Sequence, residues 1–156
     1  GKIMDPDAKV QVATLGTKLE FSADSKNGTD GTWTRVYGLA STPDFGGQPN
    51  TIDSTTLDNT VSETSVQGLM PATEVSYEIN VQVLSDENAN LRKVKGLADA
   101  KSIDYWRLTK ASGVTITYKA KTTISYNADE QASIEKFTIY HDLKSDISVA
   151  LPEIGG

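Results

Sequence analysis

Two runs of alternation, Val75–Val83 and Val114–Tyr126, constrain this chain more than any other feature. In the first, Val75, Tyr77, Ile79, Val81 and Val83 point one way and Ser76, Glu78, Asn80 and Gln82 the other. In the second, Val114, Ile116, Tyr118, Ala120, Ile124 and Tyr126 share one face. Thr115, Thr117, Lys119, Lys121, Thr123 and Ser125 share its opposite face. Successive side chains alternate across a strand, so each run reads as a strand with one buried and one wet face. The second run exceeds the usual strand length of about five or six residues. It therefore predicts either a bend at Ala120 or an extension beyond its own domain.

Shorter strands surround these two. Thr17 to Ser22 places Leu19 and Phe21 on one face, and Trp33 to Tyr37 reads as its return strand. Between them lie Asn27-Gly28 and Asp30-Gly31, both strong turn dipeptides. Ile103–Thr109 and Ile134–Leu143 complete the set, with Lys110 to Gly113 as a hairpin loop before Val114. One helix is expected from Asp86 to about Ala98. Ser85 would cap it, Asp86 and Glu87 would suit the positive end of its dipole, and Leu91, Val94 and Ala98 would form a narrow apolar stripe. The expected fold is mainly β: an antiparallel β-sandwich or barrel with one flanking α-helix. A chain of 156 residues is sized for one core, so residues 1–156 are read as a single domain. Residues 1–14 form an N-terminal arm and 144–156 a C-terminal arm.

Residues 38–68 are a long connection rich in Gly, Pro, Thr, Ser, Asn and Asp. Compact domains seldom carry structureless connections longer than about 12–15 residues unless these have a function or are disordered. Phe45, Ile52 and Leu57 punctuate this one, which suggests packing on the chain's own core or on a neighbouring copy.

The chemical inventory points away from catalysis. The chain has no cysteine, which excludes disulfides, thiolate metal sites and a Cys nucleophile. His141 is the single histidine. Without a nucleophile-elbow motif it reads as a surface strand residue. One His and no Cys leave little for a catalytic zinc. No phosphate-cradling glycine motif is present, and Asp24 to Asp30 has the wrong spacing for a calcium loop. No catalytic, cofactor or metal residue is therefore expected, and no cofactor. The net charge is −6 (15 Lys and Arg against 21 Asp and Glu), which disfavours a nucleic-acid grip and suits a surface that must not stick to DNA. No apolar run is long enough for a membrane span, and GKIMDPDAK lacks the apolar stretch of a signal peptide.

The long connection and its flanks resemble a known family. The residues that carry this are Trp33-Thr34-Arg35-Val36-Tyr37-Gly38-Leu39, Ser41-Thr42-Pro43-Asp44-Phe45-Gly46-Gly47-Gln48-Pro49-Asn50, Ile52-Asp53-Ser54-Thr55-Thr56-Leu57 and Val66-Gln67-Gly68-Leu69. They look like the major tail tube proteins of long-tailed, siphovirus-type bacteriophages. There a Trp-containing strand leads into a P-D-x-G-G-x-P turn, an I-D-x-T-T-L stretch and a G-L before the next long strand. The likeness continues loosely through Tyr105-Trp106-Arg107-Leu108 and Ser112-Gly113. It implies a non-enzymatic virion protein made in the bacterial cytoplasm. Six copies would close a ring, and rings would stack helically into a hollow tail tube that conducts DNA into the host. A tape measure protein and a tail terminator are implied as partners, and DNA would pass without specific binding. On this reading Phe45, Ile52, Asp53 and Leu57 belong to an inter-subunit loop. The lumen-facing candidates are Ser76, Glu78, Asn80 and Gln82, then Thr115, Thr117 and Thr123. A monomeric immunoglobulin-like binding or virion decoration module is the alternative, as is a tube protein of the type VI secretion kind.

Overall fold

A computed structural model describes residues 16–46, 48–49, 69–70 and 74–154. Along the chain run β1 (Lys18–Ser22), β2 (Thr34–Val36), β3 (Leu39–Ser41), β4 (Gln48–Pro49), β5 (Leu69–Met70) and β6 (Glu74–Asn80). Then come α1 (Asn90–Ala100), β7 (Ile103–Thr109), β8 (Thr115–Tyr126), β9 (Lys136–Leu143) and β10 (Ser148–Ala150). The main sheet has the order β2-β1-β7-β8-β9-β6-β3, antiparallel throughout, with β10 also on β8. The fold is thus the expected mainly-β architecture with one helix.

The two ends of that path, β2 and β3, are consecutive in the chain and separated only by Tyr37 and Gly38. One bent strand therefore pairs with β1 by its first half and with β6 by its second, closing the sheet on itself. Closure removes the exposed edges that invite aggregation. Gly38 makes the corner. Its φ is +88°, a region that costs glycine nothing, and its carbonyl accepts from the Asn80 N–H at 2.7 Å. A Cβ there would lie 2.5 Å from the Asn80 carbonyl oxygen.

β8 is long because it serves two partners. Thr115 to Lys121 pairs with β7 on one edge, while Ala120 to Tyr126 pairs with β9 on the other. The hand-over falls at Ala120, where a bend was expected. α1 packs beside β8. After β9 the chain bulges at 144–147 and resumes on the same edge of β8 as β10. Within the bulge the Lys119 N–H donates to the Ser145 hydroxyl at 2.8 Å, so a side chain replaces a ladder carbonyl. Part of the C-terminal arm is therefore a strand on the chain's own sheet. The N-terminal arm lies outside the described residues.

The register stacks the inward residues into rows. Leu19, Leu108 and Ile116 form one row, and Phe21, Trp106 and Tyr118 the next. Tyr77, Ile79, Phe137 and Ile139 complete the opposite wall, all fully buried. Burying each such side chain contributes roughly 1.5–3 kcal/mol.

The helix begins at Asn90 rather than Asp86. Ala89 occupies the cap position, and neither Ser85 nor the acids at 86 and 87 lie within the first turn. Asp86 is spent on a turn before the helix, accepting from the Asn88 N–H at 2.8 Å. The work of a cap passes to two amides. Gln82 Oε1 accepts from the Asn90 N–H at 2.9 Å, and the Asn90 side chain donates to the carbonyls of Tyr37 (2.7 Å) and Asn80 (2.8 Å). Asn90 thereby ties the helix start to the Gly38 corner. Val94 is the one fully buried apolar residue of the helix, with Leu91 and Leu97 packed at its sides.

Candidate functional site

The barrel has two different outer faces. One is carried by β6, β9 and the second half of β8. Here Ser76 stands opposite Tyr140, which stands opposite Thr123, and Glu78 opposite Thr138 and Ser125. Glu74 and Glu78 are exposed. Among the described residues no ion pair engages either, whereas Asp142 is paired with Lys144 at 2.9 Å. Three lumen candidates, Ser76, Glu78 and Thr123, thus come together on one polar, hydroxyl-rich face, whose end rows also carry Lys121, opposite Asp142, and Lys136, opposite Asn80.

The remaining candidates separate from it. β6 ends at Asn80, so Gln82 is not on the strand and its side chain caps α1. Asn80 lies at the corner end of β6, and its carbonyl accepts from the Asn90 side chain. Thr115 and Thr117 sit on the half of β8 that pairs with β7, on the second outer face. That face, formed by β2, β1, β7 and the first half of β8, is cationic and aromatic. Arg107 stacks on Trp33 at 4.0 Å, Arg35 on Tyr37 at 4.5 Å and Lys119 on Tyr105 at 5.2 Å. Glu20 is clamped by Arg107 at 3.0 Å. Lys119 and Glu78 do not pair, because Lys119 lies on the part of β8 that β7 flanks, away from β6.

The loop between β1 and β2 overlies this second face, with Gly28 against Tyr105 and Thr117. It is held by its own polar side chains. Asp30 accepts from the Lys26 and Asn27 N–H groups, and Asp24 accepts from the Thr32 N–H. These backbone donors keep both carboxyls below the usual Asp range. Among the described residues, no three His, Cys, Asp or Glu side chains gather as a metal site would.

Beside the Gly38 corner opens a groove of about 660 Å³ between β3, the start of β1 and the Lys110–Ser112 turn. Arg35 and Lys110 line it, and among the described residues no carboxylate does. Two polar atoms at its walls, Arg35 Nε and Asn80 Oδ1, are buried without a hydrogen-bond partner among the described residues.

The core holds one polar chain. The Tyr77 and Tyr118 hydroxyls lie 2.6 Å apart, and the Tyr118 hydroxyl lies 2.7 Å from His141 Nδ1. His141 is fully buried, which corrects its reading as a surface residue. Its ring packs 4.2 Å from that of Trp106. Burial alone pushes its pKa down to about 3; burial also raises both tyrosines, with Tyr77 adding to the rise at Tyr118. The group is sealed from solvent, so it is a structural element rather than an open reaction centre.

Of the inter-subunit loop residues, Phe45 turns back on the barrel. Its ring lies 5.6 Å from Tyr118 and 6.5 Å from Tyr77, so it anchors the loop to its own core rather than to a neighbour. Ile52, Asp53 and Leu57 lie outside the described residues. The loop's two ends are gathered by β4 and β5, where Gln48 pairs with Met70 and Pro49 with Leu69. Among the described residues no helix is long and apolar enough to cross a membrane. No protein-family model matches the chain, and no curated protein matches it significantly.

Proposed function

We propose that the chain is a structural subunit of a hollow phage tail tube, in which rings of identical copies stack and conduct DNA without catalysis. The observation that carries this reading is the face of β6, β9 and the second half of β8. It is hydroxyl-rich, and its two central rows, Ser76-Tyr140-Thr123 and Glu78-Thr138-Ser125, carry Glu78 and no lysine, while Lys121 and Lys136 stand in the end rows. A wall without exposed cations at its centre lets DNA slide, since lysines would bind phosphate. The lumen wall is therefore assigned to Ser76, Glu78 and Thr123, with Tyr140 and Ser125 beside them. The cationic face with Thr115 and Thr117 is assigned to contacts away from the bore.

Two further features support assembly. The barrel is closed, so association must use faces, loops and arms rather than open edges. The stem of β4 and β5 lets residues 50–68 leave and return at one place. Ring number, the virion location, a tape measure protein and a tail terminator come to the proposal from the family resemblance alone. The test is Glu78→Lys. Assembly is expected to persist, because the side chain is exposed and unpaired, while DNA delivery by phage carrying the variant falls. Unchanged delivery would remove β6 from the bore.

A further inference from the structure

Charge is segregated along this sequence. Residues 36–91 hold eight of the 21 carboxylates and none of the 15 Lys and Arg, so the rest of the chain, with 13 carboxylates against 15 cations, is at +2. Within the anionic stretch, residues 50–68 carry Asp53, Asp58 and Glu63. The cationic groove beside Gly38 is the natural counterpart. Arg35 is held in place by its stack on Tyr37, with Nε buried and unpartnered among the described residues. Lys110 faces it across the groove, and Lys18 lies nearby, paired in register with Thr109. Glu20 stands opposite Arg35 in register, yet Arg107 holds its carboxylate.

The geometry points to this groove as the seat for the carboxylate-bearing loop, residues 50–68, of a second copy of the chain. The inference rests on the assembly reading and deepens it by naming the surface the loop meets. A volume of about 660 Å³ accommodates several side chains. Arg35 and Lys110 supply charge for the carboxylates. Asn80 Oδ1 supplies an acceptor for the loop's Ser and Thr hydroxyls or backbone N–H groups. Residues 1–15 are a weaker occupant, since Lys2 and Lys9 balance Asp5 and Asp7. A single-stranded nucleic acid is also weaker, because Tyr37 already carries a cation on its ring face. The contact joins two different patches of identical chains, so it propagates into a ring or a stack.

The absence of cysteine allows a clean test on the full chain. Ala111→Cys and Ser54→Cys are made separately, mixed under oxidising conditions and analysed by mass. The expected product is a mixed disulfide dimer. A chain carrying both substitutions that closes only on itself at high dilution and in the assembled state would show the loop seated on its own groove, and overturn the proposal. In parallel, Lys110→Glu, at an exposed turn, and Asp53→Lys with Asp58→Lys should each raise the critical concentration for polymer growth about tenfold or more, as losing close interfacial charge pairs does. Combining the two sets should recover part of that loss. Polymers of the unaltered chain that form equally well with either set would defeat this docking and leave the tube reading standing. An unaltered chain that never polymerises and never cross-links would defeat both. Binding of oligo(dT), lost in Lys110→Glu, would reassign the groove to nucleic acid.

Discussion

Acidification should unfold this protein through His141. The imidazole is fully buried; among the described residues its hydrogen-bond partner is the neutral hydroxyl of Tyr118, itself bonded to that of Tyr77, and no charged group neighbours it in register, where it stands opposite Val75 and Thr122. Its Nε2 has no partner among the described residues, so an imidazolium would bury a donor and a charge together. The folded pKa of about 3 lies below the ordinary 6.5. The unfolded chain therefore binds the proton first, and stability rises with pH across this window. The contribution is complete above about pH 6.5 and is lost progressively as the pH falls toward 3. At about 1.4 kcal/mol per unit, the loss between pH 7 and pH 4 is roughly 3 kcal/mol. Asp24, Asp30 and Asp104 titrate over part of the same range, so the effect is read as a difference. His141→Asn keeps an acceptor near Nδ1 and removes the titration. Urea unfolding at pH 7 and pH 4 should show the unaltered chain losing about 3 kcal/mol more than the variant. Equal losses in both proteins would refute the assignment.

Three further outcomes follow from the corner and the core. Gly38→Ala forces a side chain into a left-handed backbone and against the Asn80 carbonyl, and should cost roughly 2–4 kcal/mol, read as a lower urea midpoint with an unchanged slope. Asn90→Ala strands the Tyr37 and Asn80 carbonyls and frees the start of α1. A loss of about 2–3 kcal/mol is expected, together with faster amide exchange at Leu91 and Lys93. Tyr118→Phe leaves the Tyr77 hydroxyl and His141 Nδ1 unpaired in the core and should cost about 1–3 kcal/mol. A neutral result would show that the polar chain is not a connected unit.

The strands were legible because one face of each is buried. Val75, Tyr77 and Ile79, or Ile116, Tyr118 and Ala120, alternate with polar residues so strictly that only a strand fits. The unusual length of β8 was legible for the same reason, and the structure explains it by a change of partner at Ala120. Closure was not legible, because it depends on Gly38 letting one strand serve both ends of the sheet, and a lone glycine looks like any turn. The helix start was misplaced because Asp86 and Glu87 are good first-turn residues locally. The tertiary bonds from Asn90 to Tyr37 and Asn80 set the boundary instead. His141 looked exposed because its strand neighbours Tyr140 and Asp142 are polar. Register, not composition, turns it inward opposite Val75 and Thr122. Of the two lysines on the polar side of β8, the change of partner along the strand separates Lys119 from the Glu78 face and leaves Lys121 at its end, opposite Asp142. The signal for the groove's counterpart was present in the sequence as the absence of any Lys or Arg between Arg35 and Arg92.

The proposal is that copies of this chain build a hollow tube whose bore is lined by the hydroxyl-rich face of β6, β9 and the second half of β8. Electron cryomicroscopy of the concentrated, purified chain tests it most directly. The account predicts tubes with a regular axial repeat and a continuous bore, with Ser76, Glu78 and Thr123 facing the lumen. Particles that stay monomeric at every concentration, or polymers with Glu78 on their outer surface, would contradict it.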